Sequence, residues 1–320
     1  MAPTVASAPG KIILFGEHAV VYGRPAIAAP VTQVRATAQV SPNPEAGVRL
    51  LAPDLGRDYL LATAQTDDPF ARAVRVVAQA AKLDPLPDIR VSIHSTIPIA
   101  SGLGSGAAMA AAVIRALACY LDLPHLATDD QVSDLTYQVE RLLHGTPSGI
   151  DNTVVAYERP VYFVRRQPDN LIETLRVAAP LRLLIADTGV TSMTKAVVGD
   201  VRRQWEADRR RFEILFDNCA RVALLARQAL EQGNAVALGA LMNENQGYLR
   251  QMTVSADALE RLVAAALDAG ALGAKLSGAG RGGNMIALVS EETETAVQTA
   301  LKKAGARTVL ASILSDAETP

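Results

Sequence analysis

Residues 97–106, Ile-Pro-Ile-Ala-Ser-Gly-Leu-Gly-Ser-Gly, join a β-branched run at 91–97 to an alanine-rich run at 107–121. A strand that turns through glycines directly into a helix restricts the fold more than any other stretch of this chain. The glycines let backbone N–H groups approach an anion, and the first turn of the helix adds partial positive charge. Such a loop suits a phosphate. A ligand-free strand-to-helix turn would use the same residues. A dinucleotide loop is a third reading, since Gly102, Gly104 and Ala107 have G-x-G-x-x-A spacing. That reading fares badly, because the motif does not follow the first strand and the nearest downstream acid, Asp122, lies at a helix end. No Lys-Ser or Lys-Thr follows the glycines, which excludes a Walker loop.

The rest of the chain is mixed in the same way. Strand patterns occupy residues 8–15, 26–40 with a break expected at Pro30, 48–52 and 91–97, and helical spacing occupies 70–81. A further helix begins at Thr128, where Gln131 completes capping-box spacing and Asp129 and Asp130 suit the positive helix end. Beyond Asp151 the pattern predicts short strands at 161–165 and 181–186, then mostly helix from 193 to 270. There Leu259, Leu262, Val263, Ala266 and Leu267 form one apolar stripe. A strand, helix and strand close the chain. At 320 residues two domains are expected, 1–175 and 176–320, with the boundary near 170–180.

Composition excludes several classes. The hydrophobic share of 49% and charged share of 20% describe a globular chain, and a net charge of −2 leaves no broad basic surface for nucleic acid or anionic lipid. The alternating charges of residues 202–211 read as a solvated helix face. No run approaches the ~18 apolar residues of a membrane span and no secretory leader is evident, so a cytoplasmic protein without membrane partners is expected. Cys119 and Cys219 read as reduced core residues, and the four histidines show no zinc-site spacing.

Chemistry-bearing residues interrupt the apolar pattern at a few places. Lys11, Glu17 and His18 lie in the otherwise apolar run Ala-Pro-Gly-Lys-Ile-Ile-Leu-Phe-Gly-Glu-His-Ala-Val-Val-Tyr-Gly at 8–23. A lysine buried there wants a carboxylate partner. Glu140 and Asp151, 151 − 140 = 11 residues apart, flank a Gly-Thr-Pro-Ser-Gly turn that can direct both carboxylates to one place. Singly, each has a plainer reading: Lys11 as a strand-end lysine, the acids as caps or surface charges, His18 as a carbonyl-bonded histidine, Thr194 as a helix N-cap.

Four blocks together, residues 8–23, 102–109, 144–152 and 275–284, closely resemble the mevalonate kinases. These belong to the superfamily of galactokinase, homoserine kinase, mevalonate kinase and phosphomevalonate kinase. The resemblance implies an α+β fold of two domains, an N-terminal ribosomal-S5-like domain and a C-terminal ferredoxin-like one. It implies ATP as co-substrate with Mg²⁺, held along Pro98, Ser101, Gly102, Leu103, Gly104, Ser105, Gly106 and Ala107. By the same resemblance Glu140 carries Mg²⁺, with Ser105 as a further candidate, and Asp151 faces the accepting hydroxyl, paired with Lys11. Glu17, His18 and Thr194 contact mevalonate, and His144 positions the loop near Asp151. Many relatives carry serine where this chain has Gly106, and glycine where it has Arg281, which reads as a surface residue. A kinase for phosphomevalonate or another small alcohol, a catalytically silent binding relative, and a homodimer are left open.

Overall fold

The computed structural model describes residues 2–98, 102–144 and 147–316. In chain order its strands and helices are β1 (Thr4–Phe15), β2 (Pro25–Pro42), β3 (Arg49–Ala52), β4 (Arg57–Leu60), α1 (Pro69–Ala81), β5 (Ile89–Ser95), α2 (Ser105–Tyr120), α3 (Asp129–His144) and α4 (Ile150–Tyr157). They continue with β6 (Val161–Val164), β7 (Leu171–Thr174), β8 (Leu181–Asp187), α5 (Thr194–Ala207), α6 (Arg209–Gln232) and α7 (Ala235–Gln251). The chain closes with α8 (Asp257–Asp268), β9 (Gly273–Ser277), β10 (Asn284–Val289), α9 (Glu291–Lys303) and β11 (Thr308–Leu314).

The chain divides into two compact units. The first comprises Met1–Lys11, Thr32–Ile99 and Leu103–Glu158, and the second Ile12–Val31, Ala100–Gly102 and Arg159–Pro320. The boundary expected at 170–180 therefore falls inside the second unit, which also takes residues 12–31 from the first part of the chain. In one seven-stranded sheet the order is β4-β3-β5-β2-β6-β7, with β1 paired to β2. Strand β2 runs unbroken through Pro30, contrary to the expected interruption. Its Ala36–Pro42 portion pairs with β5 and its Pro25–Ala28 portion with β6, so Pro30 lies outside both of these ladders.

In the first unit α1, α2, α3 and α4 pack together. Helix α2 is apolar on nearly every side, and Ala107, Ala108, Ala110, Ala111, Ala112, Ala116 and Ala118 are all buried, which makes it the central helix. Cys119 is the exception to the core reading: it lies on the outward side of α2 and is exposed. Asp68 caps α1 by accepting a bond from the Ala71 N–H at 2.8 Å, with Pro69 at the first helical position.

In the second unit an antiparallel sheet ordered β11-β8-β10-β9 carries the core. Helices α8 and α9 pack on it, as does α7 on β9. The predicted stripe of α8 buries Leu259, Leu262, Val263 and Ala266, with Leu267 partly covered. Phe212, Phe216, Leu249, Met252, Leu276 and Met285 join the same cluster. The charged run at 202–211 is not one helix: Asp208 ends α5 and caps α6, accepting from the Arg211 N–H at 3.1 Å. The short strands β4 and β7, and helix α4, were not legible in the periodicity.

Candidate active site

Strand β1 brings Lys11 into the first unit with the residue only 5% exposed. Its N–H donates to the Leu103 carbonyl at 2.9 Å, which ties the strand to the glycine loop. Gly104, the residue before α2, has φ +73°, and a Cβ there would sit 2.8 Å from Lys11 Cγ. Only glycine lets the lysine stem cross the loop at this point. The ammonium reaches Asp151 Oδ2 at 3.1 Å.

Asp151 stands on the first turn of α4, where the helix end favours negative charge. Its neighbour Asn152 is buried and donates through Nδ2 to Ser133 Oγ at 2.9 Å, fastening that turn to α3. Glu140, near the end of the same α3, is 4% exposed. A Cβ added at Gly106 would lie 3.5 Å from Glu140 Oε1, so this carboxylate borders the first turn of α2. Burial, then the nearby Asp151 carboxylate, pushes the Glu140 pKa up to about 7, with Lys11 opposing them. Lys11, Glu140, Asp151 and the N-terminus of α2, with Gly104, Ser105, Gly106 and Ala107, thus form one constellation. Leu103 is buried beside it, Pro98 is exposed, and Gly102 falls in the second unit. Ser101 and the side chain of His144 lie outside the described residues.

The oxygen donors here fit Mg²⁺. Among the described residues no group of three or more His, Cys, Asp or Glu side chains could hold a metal. Two carboxylates beside a phosphate-sized helix end nonetheless match an ion that takes one or two protein carboxylates and completes its shell with phosphate and water.

A second constellation lies in the second unit. Glu17 and His18 follow β1, and His18 has φ 61°, an uncommon conformation for a residue other than glycine. Its Nε2 bonds the Ala279 carbonyl at 2.9 Å, so Nε2 carries the proton and donates. The His18 pKa falls to about 4, chiefly through burial and secondarily through Arg281, against the raising effect of the Ala279 bond. A neutral ring results, with Nδ1 buried and lacking a hydrogen-bond partner among the described residues. Thr194 is exposed at the first position of α5, where Met193 takes the N-cap position, so the N-cap reading of Thr194 does not hold. Arg281 is paired with Asp200 and also donates to the Thr253 carbonyl at 3.1 Å, so it is neither free for a phosphate nor simply on the surface.

Two residues of this constellation lie in the 275–284 block but were not singled out as site residues in the sequence. Lys275 is fully buried and pairs with Glu17, which also has no exposed side-chain surface. Ser277 Oγ accepts from the Ile13 N–H at 3.0 Å and donates to the Ile13 carbonyl at 2.9 Å. The signal for Lys275 was present: a lysine on an apolar strand, the same anomaly that singles out Lys11.

Residues 69–159 match the model of the GHMP kinases N terminal domain, and 226–307 that of the GHMP kinases C terminal. A mevalonate kinase of Thermococcus sibiricus is 36% identical, over 97% of this chain and 96% of its own. The crystal structure of L. major mevalonate kinase in complex with R-mevalonate superposes with a TM-score of 0.83 at 31% identity, covering 100% of this chain and 97% of its own. That of the Methanococcus jannaschii mevalonate kinase gives 0.84 at 25% identity over 98% of each chain. Similarity of this extent, in sequence and in fold, shows that the chain belongs to the GHMP kinases and, within them, to the mevalonate kinase family.

Proposed function

We propose that this protein transfers the γ-phosphoryl group of ATP to the 5-hydroxyl of mevalonate, a step of isoprenoid precursor synthesis. The observation that carries the reading is the buried Lys11 ammonium 3.1 Å from Asp151, beside Glu140 and the first turn of α2. In this reading the N–H groups of 104–107 hold the ATP phosphates, and Asp151 orients the accepting hydroxyl and takes its proton. Lys11 keeps that carboxylate in position. Phosphoryl transfers commonly pass through loose transition states, in which positioning and charge do most of the catalysis and a weak base suffices. Mg²⁺, held by Glu140 with Ser105 and water nearby, would offset phosphate charge. His18 and Thr194 contact mevalonate. The neutral His18 ring offers an acceptor at Nδ1, which suits a hydroxyl of the substrate.

The test is a coupled ADP-release assay with Mg·ATP across mevalonate, phosphomevalonate, galactose and homoserine. Mevalonate is expected to give the highest kcat/KM. Equal or faster turnover of phosphomevalonate would overturn the substrate assignment.

A further inference from the structure

Three contacts join the segment after Lys11 to the glycine-rich hairpin of β9 and β10, and all lie within the second unit. Ser277 clasps the backbone of Ile13, Lys275 pairs with Glu17, and Ala279 accepts from His18. The middle contact stands apart chemically, because both of its side chains have lost all solvent exposure. Lys275 Nζ also donates to the Leu276 carbonyl at 2.6 Å, which aims the ammonium along one line. The apolar surroundings include Cys219, whose thiol pKa is pushed up to about 12 by burial first, then by the Glu17 charge, with Lys275 opposing. Two charges taken fully out of water persist only when their geometry is tightly specified. Glu17 immediately precedes His18, whose φ of 61° must be imposed by its surroundings.

We propose that Lys275 is a positioning residue for substrate recognition: through its buried bond to Glu17 it holds the 16–19 turn so that His18 presents its ring. Glu17 then acts through this pair and does not itself touch mevalonate. The inference rests on the assignment of His18 to the hydroxy acid.

The experiment compares wild type, Lys275→Met, Glu17→Gln/Lys275→Met and the surface control Lys302→Met. Lys275→Met alone removes the ammonium from a buried carboxylate and is expected to lower the thermal midpoint sharply. The double variant removes both charges while keeping the side-chain volumes, and its midpoint is expected to recover most of that loss. Its KM for mevalonate should nevertheless stay at least tenfold above wild type, with KM for ATP and kcat within threefold. In substrate-free protein the ring signals of His18 by ¹⁵N NMR should move in the double variant and stay in place in Lys302→Met. Unmoved His18 signals, a wild-type KM for mevalonate in the double variant, or an equal rise in KM for ATP would each overturn the proposal. The NMR arm needs no substrate, so a wild-type protein that ignores mevalonate would sink the functional assignment, while the His18 signals would still decide whether Lys275 positions the turn.

Discussion

Lys11 and Lys275 face the same electrostatic problem, a charge on an apolar strand, and meet it with a carboxylate brought from elsewhere in the chain. They differ in access. Asp151 keeps a third of its side chain exposed, whereas Glu17 keeps none, so only the first pair is open to an incoming hydroxyl. Asp151→Asn, which keeps the shape and removes the charge, is expected to lower kcat by roughly 10²–10⁴, the span of general acid–base groups, with nucleotide affinity largely intact. Lys11→Met should also lower kcat, and in the double variant the two losses should fall short of their product because the residues act as a unit. Near-normal turnover in Asp151→Asn would reduce it to a turn residue. His18 gives a stability prediction. Its folded pKa of about 4 lies below the ordinary 6.5, so between those values the unfolded chain binds a proton that the folded chain does not. The stabilisation is complete above pH 6.5 and is lost as pH falls towards 4, about 3 kcal/mol over the whole window. Glu140, with a folded pKa of about 7 against the ordinary 4.5, contributes the opposite change over nearly the same window, so the His18 effect is read as a difference. From pH 7 down to pH 4.5, urea titrations should show wild type changing less favourably than His18→Asn; equal changes in both would contradict the buried neutral ring.

At the scale of elements, α2 shows how two glycines two residues apart do different work. Gly104 has a left-handed backbone and no room for a Cβ against Lys11, while Gly106 has neither restriction: it sits inside the helix and a Cβ there meets Glu140 Oε1 at an ordinary 3.5 Å. Gly106→Ser is therefore expected to fold normally and to place a hydroxyl near Glu140. The Mg²⁺ requirement should change little or fall slightly, because a hydroxyl can replace one water of the ion. Glu140→Gln should raise that requirement sharply. Mg²⁺ titrations of ATP turnover separate the two, and an unchanged curve for Glu140→Gln would remove Glu140 from the metal. Asp151 depends on an element as well, since α4 supplies the helix end that it occupies and Asn152 fastens that end to α3.

Across the whole molecule, each unit has its own core, and in the second a very tight backbone approach lies where α7 meets β9. A Cβ at Gly239 would come 2.4 Å from the Leu272 carbonyl oxygen, and one at Gly273 would come 2.2 Å from the Gly239 carbonyl oxygen. Helix and strand can touch here only because both residues lack a side chain. Gly239→Ala should destabilise by about 1–3 kcal/mol, the usual cost of overpacking. Urea denaturation checks it, and an unshifted midpoint would show that α7 can withdraw freely from the sheet. No helix among the described residues is long and apolar enough to cross a membrane, in keeping with the spread of charge along the chain.

The sequence alone determined what neighbouring residues decide among themselves. The glycine loop running into α2, the stripe of α8 and the acidic start of α3 were legible because periodicity, capping and glycine placement are local properties. The resemblance, which extends over residues 140–152 as well as the other blocks, also picked out Lys11, Glu140 and Asp151, which the fold assembles at one place. Tertiary structure decided the rest. Helix α4 is only eight residues long, too short for a periodic signal, and Cys119 is exposed because of which side of α2 the neighbouring helices cover. Residues 12–31 join the second unit although they follow the first strand. Glu17 became a buried counter-ion because Lys275, 258 residues away, was folded against it. Burial and ion pairing depend on which distant segments meet, and no local pattern in a single chain records that meeting.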